Sequence, residues 1–361
     1  MIQLFKVRVN PNADRLINQT VQSGYLGQGK IVDLFEKKLN KHLKTKCLTV
    51  NSGTSALDLA LHLCEVEPFT EVISTAQTCF ASNSNIINRK ARIRFADVDM
   101  FTGLIDPNSV EKLITKKTRA IMAVDWAGRA CDYDKLKSFG IPVIEDAAHC
   151  WDTLYKGNPI STHGGDYVCY SLQAIKFLTA ADGGILITPQ DKYEEAILAR
   201  WYGLDRRKGE SFRCTQNIKP GGHFKYHMND VLASIGLSNL ELASDSVKKH
   251  RENADYYYRW INNKNIKLPP YDSGCSYWLY SIIISGGNRE DFIKYMADKG
   301  IATSPVHFRN DLYDCTKNFR EGELPGLNYF SQKQVAIPVG WYLTEEEKNH
   351  IVRCINEWVG K

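Results

Sequence analysis

Residues 141–184 read IPVIEDAAHCWDTLYKGNPISTHGGDYVCYSLQAIKFLTAADGG, and their spacing decides the fold. The apolar run 141–144 ends in two carboxylates, Glu145 and Asp146. A second strand-like run, 166–171, ends in the hydroxyl of Ser171, and Lys176 follows five residues later. The glycine pair Gly183-Gly184 then opens a third apolar run, 185–187. Ligands of an open α/β sheet sit beyond the carboxyl ends of its strands, so this spacing brings a carboxylate, a hydroxyl and a lysine to one small site.

Outward from this stretch, strand and helix patterns alternate. Short apolar runs at 48–50, 71–74, 92–96, 120–124 and 142–145 predict strands. Helical periodicity is expected at 31–43, 56–66, 79–89, 108–115, 131–138 and 190–202. Continuous apolar strands between helices argue for an α/β fold, a mostly parallel sheet covered on both faces. Residues 204–222, with Gly209 and the Pro220-Gly221-Gly222 breaker, read as a long functional loop. The helix expected at 227–260 changes from apolar to charged along its length, which puts a domain boundary near 245. The large unit is then 1–245. The remainder, 246–361, is expected to form a smaller α+β unit. It has strands at 278–284 and 301–305, a helix at 289–299, and a last helix at 344–358 opened by a Thr344/Glu347 capping box.

Composition excludes several classes. Of 361 residues, 43% are hydrophobic and 24% charged, ordinary values for a globular chain. The net charge of +5 is too diffuse for nucleic acid, although it suits an anionic small molecule. Ten cysteines, at 47, 64, 79, 131, 150, 169, 214, 275, 315 and 354, form no CxxC pair and no zinc-spaced cluster, so reduced thiols and no metal are expected. No run approaches the ~20 apolar residues of a membrane helix, and the first residues lack a signal-peptide pattern. The expectation is a soluble, cytoplasmic protein.

Gly24 to Lys30 matches the first part of a phosphate-binding loop, GxxxxGK. Ile31 stands where the metal-binding Ser or Thr belongs and no strand precedes it. A glycine loop over a site is the better reading. Ser52-Gly53-Thr54-Ser55, between a strand and a helix, fits either a plain N-cap or an anion cradle. Neighbouring residues on a strand face opposite ways, so Glu145 cannot act with Asp146 on one substrate and is read as structural. His149 fits a satisfied core histidine or a ligand contact. A lysine in a partly apolar site becomes a nucleophilic amine. An amine, a carboxylate and an anion cradle together are what pyridoxal 5′-phosphate (PLP) requires: a Schiff-base partner, a partner for its ring nitrogen and a phosphate site.

With those residues in hand, the chain resembles the DegT/StrS-type sugar aminotransferases, PLP enzymes of the aspartate-aminotransferase fold. The resemblance runs from about Gly24 to the C-terminus. It is carried by SGTSALDLAL (52–61), VIEDAAH (143–149), GGDYVCYSLQAIK (164–176), HFKYHMNDVLASIGLSNLE (223–241), NREDFIKYMADKGI (288–301) and IPVGWYLTEEE (337–347). It implies a seven-stranded sheet and a Schiff base on Lys176, which then shuttles the proton. It also implies Asp146 on the pyridine nitrogen, His149 on the ring's O3′, and the phosphate held by the backbone of Thr54 and Ser55 with the Ser171 hydroxyl. The stretch 223–229 would reach the partner's phosphate in a homodimer.

Two positions depart from the family pattern. Cys79 stands where an aromatic residue usually stacks on the cofactor, so either Phe80 takes over or the ring face is covered differently. Lys225 stands where an Asn is usual, a stronger, charged phosphate contact. Tyr25, Arg206, Arg207 and His307 are candidates for substrate contact, with plain surface charge the alternative for the arginines. The implied reaction moves an amino group from L-glutamate to a keto sugar carried on a nucleoside diphosphate. A non-catalytic PLP protein and a PLP-dependent dehydratase are the alternatives; dehydratase relatives carry His at the lysine position, and Lys176 argues against them.

Overall fold

The computed structural model describes residues 1–209, 215–219 and 221–360. Part of the expected 204–222 loop, including Cys214 and Pro220, lies outside the described residues. A seven-stranded sheet forms the centre. Its strands are β1 (Leu48–Val50), β2 (Glu71–Thr75), β3 (Arg92–Ala96), β4 (Thr118–Val124), β5 (Val143–Asp146), β8 (Tyr167–Ser171) and β9 (Gly184–Ile187), in the order β1-β9-β8-β5-β4-β2-β3. A two-stranded ribbon, β6 (Leu154–Tyr155) and β7 (Asn158–Pro159), lies between β5 and β8 in sequence. Only β9 runs against its neighbours. The strands are apolar on both faces because both are covered: Val72, Ile73, Ile121, Met122, Val143 and Ile144 are all fully buried.

Among the described residues the α-helices are, in chain order, α1 (Ala13–Gln22), α2 (Lys30–Leu43), α3 (Gly53–Leu63), α4 (Ala81–Asn88), α5 (Pro107–Leu113), α6 (Tyr133–Lys137), α7 (Ile160–His163), α8 (Tyr193–Arg200), α9 (Asp230–Trp260), α10 (Arg289–Asp298), α11 (Pro325–Lys333) and α12 (Glu345–Glu357). The capping box on α12 forms as expected: Thr344 accepts from the Glu347 N–H, and Glu347 reaches back to the Thr344 N–H. The helix expected at 190–202 is shorter, a 3-10 turn followed by α8. The strand expected at 301–305 does not form; Ile301 and Ser304 make only isolated bridges, to Ile2 and Ala336. The partner strand there is β12 (Gln334–Ile337), in a three-stranded sheet with β10 (Ile266–Lys267) and β11 (Tyr280–Ile284).

Two apolar cores meet along α9. Ala233, Ala243 and Val247 belong to the large core, and Ala254 and Tyr257 to the smaller one around β11 and α12. On this packing we propose that the two units divide inside α9, a few residues beyond the expected boundary. The N-terminal segment does not follow that division: Ile2 packs against the smaller core and bridges Ile301. No helix among the described residues is long and apolar enough to cross a membrane.

The glycine loop before α2 has a physical explanation. Gly29 has no side chain to cap the helix, and Asp230 supplies the cap from α9. Its carboxylate accepts from the N–H groups of Gly29 (2.8 Å), Val32 (3.0 Å) and Ile31 (3.3 Å). A carboxylate already occupies this helix start, so no phosphate sits there. The crevice beside it, about 570 Å3, is lined by Asp33 and Asp230 against one cation, Lys30, so its charge does not favour an anion. Replacing Asp230 with Ala removes the cap, and a loss of about 1–2 kcal/mol is expected. It should appear in urea unfolding as a lower midpoint with an unchanged slope.

Candidate active site

Six strands point their carboxyl ends at one edge of the sheet, and β9 starts there. The edge opens on a cavity of about 500 Å3. The strand β5 delivers Asp146 to it, β8 delivers Ser171, and the turn after β1 delivers Ser52, Gly53 and Thr54. The loop after β2 brings Thr78 and Cys79, and Lys176 follows β8. Trp278, Val306 and His307 close the wall from the C-terminal part of the chain, and Phe5 from the N-terminal segment.

Asp146 is buried. Its Oδ2 accepts from Ser82 Oγ–H at 2.6 Å and its Oδ1 from the Ala148 N–H at 3.1 Å. Burial raises its pKa; the two hydrogen bonds and the charge of Lys176 oppose the rise. Lys176 lies in the same cavity wall, and burial brings its ammonium pKa down to about 8, with Asp146 the largest opposing influence. Its Nζ stands 3.8 Å from the centre of the Trp278 ring. Trp278 is itself fixed by a 3.1 Å hydrogen bond from its indole N–H to the Ile175 carbonyl.

His149 stacks on Trp278 at 4.0 Å, with 17° between the rings. Its Nδ1 accepts from the Ala127 N–H at 3.3 Å. Burial, then the charge of Lys176, holds its pKa well below the usual value. The neutral ring with Nδ1 accepting carries its proton on Nε2, a donor for the cavity. Burial likewise lowers His307 to about 4. The two imidazoles lie parallel, 6.2 Å apart.

The cradle depends on glycines. Gly184 pairs with Val50 on one side and Ser171 on the other. A Cβ on Gly184 would lie 2.5 Å from the Ser52 carbonyl, and one on Gly53 would lie 2.9 Å from Ser171 Cβ. Only glycine lets the start of α3 sit this close to the end of β8. Ser52 caps α3 by accepting from the Ser55 N–H at 3.0 Å. That leaves the first-turn N–H groups of Gly53 and Thr54, beside the Ser171 hydroxyl, on the cavity wall.

Residues 9–356 match the model of the DegT/DnrJ/EryC1/StrS aminotransferase family. The chain belongs to this aminotransferase family. It is 37% identical to AtS13 of Actinomadura melliaura, with a TM-score of 0.93 over 99% of both chains. It is 33% identical to the sugar aminotransferase CalS13 of Micromonospora echinospora, also with a TM-score of 0.93, over 99% of this chain and 100% of that one. It is 26% identical over 371 residues to GDP-perosamine synthase of Vibrio cholerae, 99% of each chain. The fold is that of the family's sugar aminotransferases, and family members depend on PLP.

The DegT/StrS cavity fits PLP on its own chemistry. It holds an amine with a lowered pKa, a buried carboxylate, and a helix start cleared by two glycines. Other expected residues lie elsewhere. Ser55 is off the wall: its N–H is taken by Ser52, and its hydroxyl donates to Asn51 Oδ1 at 2.6 Å. Phe80 turns away from the cavity to pack edge-on against Tyr313, so it does not replace an aromatic at Cys79, which itself lines the cavity. Glu145 is buried beneath the site, accepting from the Gly165 N–H at 2.7 Å. Burial, then neighbouring Asp125, holds it well above the usual carboxylate range.

Tyr25, Arg206 and Lys225 share a surface patch instead. Arg206 donates to Tyr25 Oη at 2.9 Å and stacks on Trp201 at 4.1 Å, and Trp201 bridges Lys225 through the backbone. None of the three lines this cavity. Arg207 is committed to Glu194 and Asp205, which explains its surface position. Sequence reasoning missed Ser82, Phe5 and the role of Trp278. Ser82 and Phe5 carry no motif, and Trp278 meets Lys176 only through tertiary packing.

A reactive amine must be unprotonated. Covalent uptake of PLP by the cofactor-free protein is therefore expected to rise with pH to a plateau, with a midpoint near 8. Stopped-flow absorbance across pH 6 to 10, a range of roughly two units either side of that midpoint, checks this. A rate still climbing at the top of the range contradicts it.

Proposed function

We propose that this chain transfers an amino group from L-glutamate to a keto sugar carried on a nucleoside diphosphate, as a cytoplasmic homodimer. The observation that supports it best is the pairing of Lys176, its amine near pKa 8, with the buried carboxylate of Asp146 in one cavity. Its kinship with a sugar aminotransferase and with GDP-perosamine synthase supports the sugar substrate. Nine described cysteines are free thiols, in keeping with a reducing compartment.

When bound, PLP supplies an aldehyde to carry the amino group and a ring that draws electrons from the adjacent carbon. Asp146 would hold the ring nitrogen in its protonated form. A charge-assisted bond of this kind is worth roughly 1.5–3 kcal/mol. Ser82 and Ala148 hold that carboxylate in place. The helix start at Gly53 and Thr54 would hold the phosphate, together with Ser171. His149 would donate from Nε2 to the ring's O3′. Lys176 Nζ, when free, would move a proton from the donor's α-carbon to the cofactor's C4′ in the first half, and from C4′ to the acceptor's carbon in the second. His307 faces the substrate end. Tyr25, Arg206 and Lys225, grouped on a patch away from their own cavity, serve the partner's site.

Adding L-glutamate to the loaded protein is expected to bleach the cofactor band and release one equivalent of 2-oxoglutarate per site. A PLP-binding protein without catalysis keeps its spectrum, and a dehydratase makes no stoichiometric oxo acid. Replacing Asp146 with Asn is expected to slow this half-reaction roughly 10- to 100-fold, the kinetic equivalent of losing the charged bond. Single-turnover spectroscopy measures it.

A further inference from the structure

We propose that Trp278 is a positioning residue for Lys176: its indole face is the seat the lysine side chain occupies whenever Nζ is not covalently engaged, and Phe5 backs that seat. The inference rests on Lys176 being the cofactor lysine, and it adds a role that neither the catalytic group nor the cofactor cradle supplies.

The geometry is specific. Nζ lies 3.8 Å from the ring centre. The ring is tied by its own N–H to the carbonyl of Ile175, the residue before the lysine, so seat and lysine share one anchor. Phe5 packs on Trp278 at 4.8 Å, tilted by 30°. Phe5 is in turn held by the N-terminal strap. Ile2 bridges Ile301, Trp341 donates to the Lys6 carbonyl at 3.3 Å, and Arg8 pairs with Asp245 at 2.7 Å. The seat therefore joins the N-terminal segment, the large sheet's lysine loop and the edge of the smaller unit.

A lysine released during turnover must stay close to the reacting carbon without escaping to water. A π face holds the ammonium form by electrostatic attraction and opposes the desolvation that lowers its pKa. The other groups facing the amine are Asp146 from β5, Cys79 from the loop after β2, Cys150, and the imidazoles of His149 and His307. Unlike these groups Trp278 does not titrate, so its effect is separable by substitution.

The test uses the full-length cofactor-free protein. Lys176 is acylated with an amine-reactive reagent across pH, and the modified peptide is quantified by mass spectrometry. The wild-type midpoint is expected near 8. Trp278→Leu keeps the site apolar but removes the π face, so the midpoint falls by about half a unit to one and a half units. Trp278→Phe falls between the two. Phe5→Ala shifts it in the same direction by less, which keeps the test decisive if the Leu variant does not fold. An unchanged or higher midpoint in Trp278→Leu or Trp278→Phe overturns the proposal. If the midpoints shift as expected but the wild type forms no covalent adduct with PLP, the functional reading falls and the seat stands.

Discussion

A carboxylate and an amine in one enclosed cavity constrain everything around them. Burial raises the pKa of Asp146 and lowers that of Lys176, while each favours the charged form of the other. Neither would be retained in an apolar core without compensation. Asp146 has Ser82 and the Ala148 N–H; Lys176 has Trp278. The amine is left close enough to neutrality to act as a nucleophile.

The sheet makes this arrangement possible. Parallel strands deposit their last residues along one edge, and the single reversed strand, β9, enters that edge with a glycine. That glycine leaves room for the Ser52 carbonyl, and Gly53 lets α3 begin against Ser171. The open helix start is thus a matter of missing side chains, whereas the acid and the amine depend on supporting ones.

Legibility followed the range of each interaction. The strands could be read because both faces of the sheet are covered, which leaves uninterrupted apolar runs such as Ile121 and Met122. The meeting of Asp146, Ser171 and Lys176 in one cavity could be read because the first two end strands and the third follows one in the same stretch. The cap and the cradle could not be separated in Ser52-Gly53-Thr54-Ser55: Ser52 and Ser55 form the cap, and Gly53 and Thr54 face the cavity. The strand expected at 301–305 does not form because Ile301 and Ser304 bridge two different partners, Ile2 and Ala336, without a continuous ladder. Trp278 and Phe5 were invisible as site residues, since only tertiary packing brings them from opposite ends of the chain to Lys176.

In the proposed function Lys176 is the residue to which PLP binds. Borohydride reduction of the loaded protein, followed by digestion and mass spectrometry, tests it directly. A pyridoxyl group on Lys176 and on no other lysine is expected. A group on another lysine, or no stable adduct in protein that has bound the cofactor, would contradict it.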